Sequence, residues 1–251
     1  MVLYIDIGNS NIVIGKGNGT LEETYRYRTD PLKSSDEYYA MLKHLFSDVD
    51  AVMIASVVPQ LNTAFKTFLQ RYFSITPLFV APGVKTGIGV KTEYPKEVGA
   101  DLIAAAAGAR SEYGESAIIV DMGTATTITH MQDATIMGVA ITIGLDQAKS
   151  CLVSNTSKLL QFEFQAPSEV VGTNTIDALN GGFLYGHAFQ IEGFASAIKS
   201  RMPTKDAPVV LTGGASKLLK GILPDTFHFD ENLVLKGLRV IHGKNRSGNI
   251  D

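Results

Sequence analysis

The hydrophobic and polar positions of the chain form the same strand-turn-strand pattern twice. Leu3–Gly15 (LYIDIGNSNIVIG) and Ile118–Thr129 (IIVDMGTATTIT) each contain an apolar run that ends in Asp, then one apolar residue, a Gly and small polar residues. An apolar run follows in both cases, which predicts two strands joined by a tight turn. The two aspartates, Asp6 and Asp121, are 115 positions apart in a chain of 251 residues. This spacing indicates a duplicated architecture.

The elements that follow each turn have a similar order in the two halves. The first half has a hairpin signal at Gly17-Asn18-Gly19, a helix capping box at Ser34 and Glu37, and a short apolar strand at Ala51–Ser56. The second half has two further strands and then helical patterns at Asp146–Leu160 and from Thr175 to about Met202. Such an order predicts an α/β fold with mixed sheets covered by helices on both faces. We expect two domains, residues 1–112 and 113–251, with a cleft between them.

The composition argues against nucleic acid and membrane partners and favours a cytoplasmic location. The net charge is −3, and the 22 Lys and Arg residues are scattered, so nucleic acid is not expected as a main partner. No apolar run approaches the ~18–20 residues that a membrane helix needs, and no membrane association is expected. Cys151 is the single cysteine, and the N-terminus enters a strand pattern directly. These features favour a cytoplasmic protein without disulfides.

The two Gly-containing turns are candidates for binding phosphate. In Gly8–Asn11 and in Gly123–Thr127, backbone N–H groups and side-chain hydroxyls or amides could bind phosphate oxygens, and the preceding Asp could hold a cation. The alternative is that each turn simply closes a hairpin. The recurrence of the pattern at half-chain spacing favours phosphate binding. Asp101 starts the Ala-rich helix pattern Gly99–Arg110, and the residues alone favour a helix N-cap over a catalytic carboxylate.

Seven short motifs resemble those of the type III pantothenate kinases, also called the Bvg accessory factor family. They occur in the family's order and span nearly the whole chain: DIGNSNI (6–12), SVVP (56–59), YPKEVGAD (94–101), DMGTATT (121–127), GTNTIDALNGG (172–182), LTGG (211–214) and LVLKGL (233–238). This family is part of the acetate and sugar kinase, Hsp70 and actin superfamily. The resemblance implies two ribonuclease H-like domains, each a mixed five-stranded sheet with helices on both faces.

The resemblance also implies an activity and its site residues. The activity would be ATP-dependent phosphorylation of pantothenate to 4'-phosphopantothenate, the first step of coenzyme A biosynthesis, in a homodimer that uses Mg²⁺ and a monovalent cation, K⁺ or NH₄⁺. Asp101 matches the proton acceptor, Asp121 the monovalent-cation ligand, and Asp6 the acidic position near the divalent ion. ATP contacts are implied for Asp6, Ile7, Gly8, Asn9, Ser10, Asn11, Ile12, Val13 and Thr124. Pantothenate contacts are implied for Tyr94, Gly99, Ala100, Leu102 and Thr175.

Two positions depart from the family pattern. Leu102 stands where the family usually has an Arg beside the pantothenate carboxylate, and Ile143 stands where it usually has a Pro. Loss of a charge-assisted hydrogen bond costs about 1.5–3 kcal/mol, so kinase activity could be impaired. The alternative function is therefore a degenerate paralogue that binds nucleotide or acts as a regulatory protein with weak or no kinase activity. A kinase for an acceptor without a carboxylate is a further alternative.

Overall fold

A computed structural model describes residues 1–156, 161–167 and 169–246 of the chain. The strands in this described part are β1 (Val2–Ile7), β2 (Asn11–Gly17), β3 (Glu23–Arg28), β4 (Ala51–Ser56), β5 (Leu78–Phe79), β6 (Gly89–Val90), β7 (Ala117–Met122), β8 (Ala125–Gln132), β9 (Thr135–Ile143), β10 (Val209–Thr212) and β11 (His228–Phe229). The α-helices are α1 (Ser35–Leu42), α2 (Pro59–Phe73), α3 (Ala100–Tyr113), α4 (Leu145–Ser154), α5 (Thr175–Asn180), α6 (Gly186–Lys199) and α7 (Leu233–Arg246). None of these helices is both long and apolar enough to cross a membrane.

The chain divides into two compact units. Unit 1 consists of Met1–Glu112 together with the C-terminal segment that starts at Leu233, and unit 2 is Tyr113–Asn232. Within the C-terminal segment, α7 packs against β1 and β4 of unit 1, with the ring of His242 meeting Tyr4 edge-on at 6.1 Å. Unit 2 therefore lies between two segments of unit 1 along the chain.

Unit 1 is built on a mixed sheet with the strand order β3-β2-β1-β4-β5. Strands β1, β2 and β3 are antiparallel neighbours, whereas β4 runs parallel to β1. Successive side chains of a strand point to opposite faces, so Leu3 and Ile5 pack in a cluster with α1 and α2 while Tyr4 faces α7. The two covered faces explain why β1 is an almost continuous apolar run. The capping box predicted at Ser34 and Glu37 is confirmed at the start of α1.

Unit 2 repeats this arrangement. Its strands form a mixed sheet in the order β11-β10-β7-β8-β9, in which β7, β8 and β9 are antiparallel neighbours and β10 is parallel to β7. Ile118 and Val120 of β7 pack in one buried cluster with Leu184 and with Ile191 of α6. The predicted α/β class, with mixed sheets and helices, is confirmed.

Two helices differ from their predicted extents. The single long helix expected from Thr175 to about Met202 is divided into α5, a π-helical turn at Gly181–Tyr185, and α6. The glycines in this stretch weaken a regular helix, which accounts for the interruption. Helix α4 ends at Ser154, and residues 157–160 of its predicted extent lie outside the described residues.

Candidate active site

The first Gly-containing turn joins β1 to β2 and lies beside the end of β4. Asp6 is half-buried and pairs with Val13 on β2 and with Ala55 on β4. In the turn itself, the Gly8 N–H donates to the Asn11 carbonyl at 3.0 Å. The side chains at 7 and 12 are buried in the core, so these two isoleucines can reach a ligand only through their backbone. The exposed residues at the tip of the turn are Asn9 and Ser10.

The second turn has the same position in unit 2. Asp121 is half-buried on β7 and pairs with Thr127 on β8 and Thr212 on β10. Thr124 is exposed in the turn that follows. Gly213 comes directly after β10 with φ +85°, and a Cβ on it would lie 2.5 Å from Asp121 Oδ1. A side chain at 213 would therefore press on the carboxylate, which explains why a glycine edge follows β10.

The carboxyl group of Asp101 lies in the first turn of α3. This helix begins at Ala100, so Asp101 is the second helical residue, and the interpretation of Asp101 as the N-cap is wrong. Asp101 Oδ1 accepts a hydrogen bond from the Leu102 N–H at 2.8 Å. Burial raises the pKa of Asp101, and the backbone hydrogen bonds it accepts act in the opposite direction. A carboxylate with a raised pKa in a helix start is a better proton acceptor than an exposed one.

Contacts within unit 1 bring Asp101 close to the first turn. Ile7, which precedes Gly8, accepts a hydrogen bond through its carbonyl from the Val57 N–H at 3.0 Å. Val57 follows β4, and its Cγ1 would lie 3.4 Å from a Cβ on Gly99. Asp101 is two residues beyond Gly99. The carboxylate and the turn are thus at the same edge of the unit 1 sheet, because β1 and β4 run parallel and end together.

The other residues matched to pantothenate contacts divide between the two units. In unit 1, Tyr94 is 61% exposed and precedes a short 3-10 helix, while Gly99, Ala100 and Leu102 are half-buried around the start of α3. In unit 2, Thr175 is the exposed first residue of α5, a helix capped by the Asn174 side chain through the Asp177 N–H at 3.0 Å.

Each of the two aspartates fits a cation of its own that takes most of its ligands from phosphate and water. Among the described residues, no three His, Cys, Asp or Glu side chains are grouped as a metal cluster. Mg²⁺ in phosphoryl-transfer sites is commonly bound by one or two carboxylates together with substrate phosphates and waters. Asp6, half-buried beside its Gly-containing turn, matches that donor set better than a dedicated protein cage would.

The structure also tests whether Arg110 replaces the missing arginine at position 102. The Arg110 guanidinium donates to the Gly87 carbonyl at 2.6 Å, which holds part of the segment that leads to Tyr94. Arg110 is eight residues after Leu102 on α3, and eight residues of helix span about 12 Å. The Arg110 side chain therefore binds the loop at Gly87 and does not replace an arginine at position 102.

Sequence reasoning missed two residues that contact the turns. Thr29, directly after β3, donates through its Oγ1 to the Gly8 carbonyl at 2.6 Å. Gly144, directly after β9, donates through its N–H to the Thr124 carbonyl at 3.3 Å. Each of these residues directly follows the third strand of its half. Aligning the strand orders of the two halves could have identified them.

Comparison with known proteins gives the chain's relationships. The family model described as type III pantothenate kinase matches residues 2–197. A type III pantothenate kinase of Brevibacillus brevis is 40% identical, over 98% of this chain and 100% of that protein.

Solved structures with low sequence identity share the fold. A Baf family protein of Campylobacter jejuni is 21% identical with a TM-score of 0.62, covering 98% of this chain and 99% of its own. A polyphosphate/ATP-glucomannokinase of Arthrobacter is 13% identical with a TM-score of 0.51, covering 96% and 98%. These likenesses identify the actin-like ATPase and sugar kinase fold. The family model and the Brevibacillus relative show more than the fold: the chain belongs to the type III pantothenate kinase family.

Proposed function

We propose that this protein transfers the γ-phosphoryl group of ATP to the primary hydroxyl of pantothenate, giving 4'-phosphopantothenate and ADP as the first step of coenzyme A biosynthesis in the cytoplasm. The observation that carries the proposal is the position of Asp101 beside the first Gly-containing turn, linked through Gly99, Val57 and Ile7. Phosphoryl transfer needs an acceptor hydroxyl, its proton acceptor and the phosphates held in line. One edge of the unit 1 sheet carries both the carboxylate proposed as proton acceptor and the turn proposed to hold the phosphates.

The turns are proposed to bind the nucleotide. Residues from Asp6 to Val13 and Thr124 would contact ATP, through backbone N–H groups at the buried positions and through side chains at exposed Asn9 and Ser10. Asp6 would hold the divalent ion, expected to be Mg²⁺, and Asp121 the monovalent cation, K⁺ or NH₄⁺. When bound, these cations would offset the negative charge of the phosphates. The chain's own contribution is to fix the two carboxylates beside the turns.

Asp101 is proposed to accept the proton of the pantothenate hydroxyl. The hydroxyl oxygen forms a bond to the γ-phosphorus, the bond to the ADP oxygen breaks, and the hydroxyl proton passes to an Asp101 carboxylate oxygen. Burial raises the pKa of this carboxyl, which strengthens it as a base. Tyr94, Gly99, Ala100 and Thr175 are proposed to contact pantothenate. A homodimer is the proposed assembly.

Activity with pantothenate tests this proposal. ADP release should be measured with ATP, Mg²⁺, K⁺ and pantothenate at millimolar concentration, and an absence of turnover would remove the assignment. Leu102→Arg supplies the guanidinium that the family pattern expects, and it should raise kcat/KM for pantothenate about 10- to 150-fold. If Leu102→Arg stays inactive while ATP binds, the nucleotide-binding or regulatory function would be favoured instead.

The role of Asp101 has a matched control. Asp101→Asn should abolish turnover and leave ATP binding nearly unchanged, because it removes the proton acceptor without altering the turn. Asp36 is also the second residue of its helix, and Asp36→Asn removes a carboxylate from the same kind of helix start. Asp36→Asn should keep its activity. Equal losses in both variants would show that the effect comes from the helix terminus rather than from catalysis.

A further inference from the structure

Thr29 makes two hydrogen bonds to the turn that joins β1 and β2. Its N–H donates to the Ser10 carbonyl at 3.1 Å, and its Oγ1 donates to the Gly8 carbonyl at 2.6 Å. The residue is half-buried and comes directly after Arg28, the last residue of β3. One residue directly after the third strand thus fixes two carbonyls of the turn, of which the Gly8 carbonyl is 21 positions away along the chain.

Fixing these carbonyls also fixes the direction of two N–H groups. In a planar trans peptide, the C=O and the following N–H point in opposite directions. The Gly8 and Ser10 carbonyls face Thr29, so the N–H groups of Asn9 and Asn11 point away from it. Backbone N–H groups that converge in a turn are the donors that bind phosphate, whereas a carbonyl facing the same way would repel it.

The second unit has a counterpart at the same position of its strand order. Gly144 directly follows β9, as Thr29 follows β3, and its N–H donates to the Thr124 carbonyl at 3.3 Å. A Cβ on Gly144 would lie 2.5 Å from the carbonyl oxygens of both Gly123 and Thr124. The first unit therefore holds its turn with a hydroxyl, and the second with closely packed backbone.

We infer that Thr29 is a positioning residue for the nucleotide phosphates, acting through the turn Gly8–Asn11. The inference rests on the proposed function in so far as this turn binds the phosphates of ATP. The hydroxyl of Thr29 holds the Gly8 carbonyl away from the phosphates and thereby presents the Asn9 N–H to them. The Gly144 N–H holds the Thr124 carbonyl of the second turn in the same sense.

The test separates phosphate binding from general stability. Thr29→Val keeps the shape of the side chain and removes the hydroxyl, and Thr29→Ser keeps the hydroxyl. Thr24→Val makes the same substitution on β3 at an exposed position that pairs with Gly15, away from the turn. Dissociation constants for ATP and for adenosine are measured by calorimetry, together with KM for ATP and for pantothenate.

Thr29→Val should weaken ATP binding about 2- to 12-fold, the usual effect of one neutral hydrogen bond, and leave adenosine binding unchanged. KM for ATP should rise by a similar factor while KM for pantothenate stays constant. Thr29→Ser and Thr24→Val should bind ATP within twofold of the wild type. Equal changes for ATP and adenosine, or unchanged ATP binding by a folded Thr29→Val, would overturn the inference.

A measurement on the wild type covers the case of an unfolded variant. The backbone amide resonances of Asn9 and Asn11 should shift on addition of ADP and not on addition of adenosine. If they stay in place while other resonances move, the turn does not bind the phosphates and Thr29 has no such role. None of the binding measurements contains pantothenate, so a failure of pantothenate turnover alone refutes the proposed reaction and not the role of Thr29.

Discussion

Gly144→Ala should impair turnover by displacing the second turn. The added methyl carbon would lie 2.5 Å from the carbonyl oxygens of Gly123 and Thr124, where ordinary contact begins at 3.4 Å. Either the turn or the end of β9 must therefore retreat by about 0.9 Å. Gly144 is buried, so there is no open space to accept the methyl group.

The size of the effect follows from this displacement. A misplacement of about 1 Å in a reacting group can lower a rate about 100-fold, which corresponds to about 2.7 kcal/mol in the activation free energy. Inserting a methyl group into a packed site also costs about 1–3 kcal/mol of folding free energy. For a chain of this size, that cost lowers Tm by about 2–12 °C. Loss of rate should thus exceed what the loss of stability explains.

The assay is ADP release at 25 °C, with Tm from a thermal melt of each variant. Gly138 lies on the same strand, β9, and a Cβ there would meet no atom within 4 Å. Gly138→Ala is therefore the matched control and should keep wild-type kcat. A folded Gly144→Ala with kcat within threefold of Gly138→Ala would refute the reasoning, because the turn could then absorb the methyl group without functional displacement.

Three further changes have defined outcomes in stability. Asp101→Asn should raise Tm at pH 7.5, because burial penalises only the charged carboxylate. The gain in Tm should shrink as the pH falls through the raised pKa of Asp101. An equal gain at all pH values would contradict this reasoning. Burial lowers the pKa of His187 below its usual 6.5, so acid favours the unfolded state. His187→Gln keeps a partner for Thr126 and should lose less stability in urea melts between pH 7 and 5 than the wild type. Leu238→Ala, at a buried position of α7, should lower the free energy of unfolding by about 2–5 kcal/mol. It should increase amide exchange in β1 and β4 before it does so in unit 2. Uniform exchange would argue against the unit assignment.

Local patterns were sufficient for most of the elements. The strand Ala51–Ser56 and the capping box at Ser34 have the predicted positions, because alternation, apolar runs and caps act over a few residues. The start of α3 was harder to predict, since one residue of difference decides whether Asp101 is a cap or lies inside the helix.

Long-range relationships were beyond the sequence. The amphipathic pattern of α7 predicts a helix but carries no information about which sheet it covers, and only the structure shows that it packs against β1 and β4. The bond from Thr29 to Gly8 joins positions far apart in the chain, and a Thr after a strand has no distinctive pattern. Local chemistry thus predicts the turns, whereas the contacts that orient them need the fold.

The return of α7 to unit 1 has a consequence for how the protein is made. Unit 2 is one continuous segment and can complete its core as soon as Asn232 is synthesised, but the face of β1 around Tyr4 lacks its covering helix until the last segment appears. At about 5–20 residues per second, the 120 residues from Tyr113 to Asn232 delay that helix by on the order of ten seconds. The half made first is therefore the half finished last, and during that interval its uncovered sheet face exposes apolar surface of the kind that promotes aggregation.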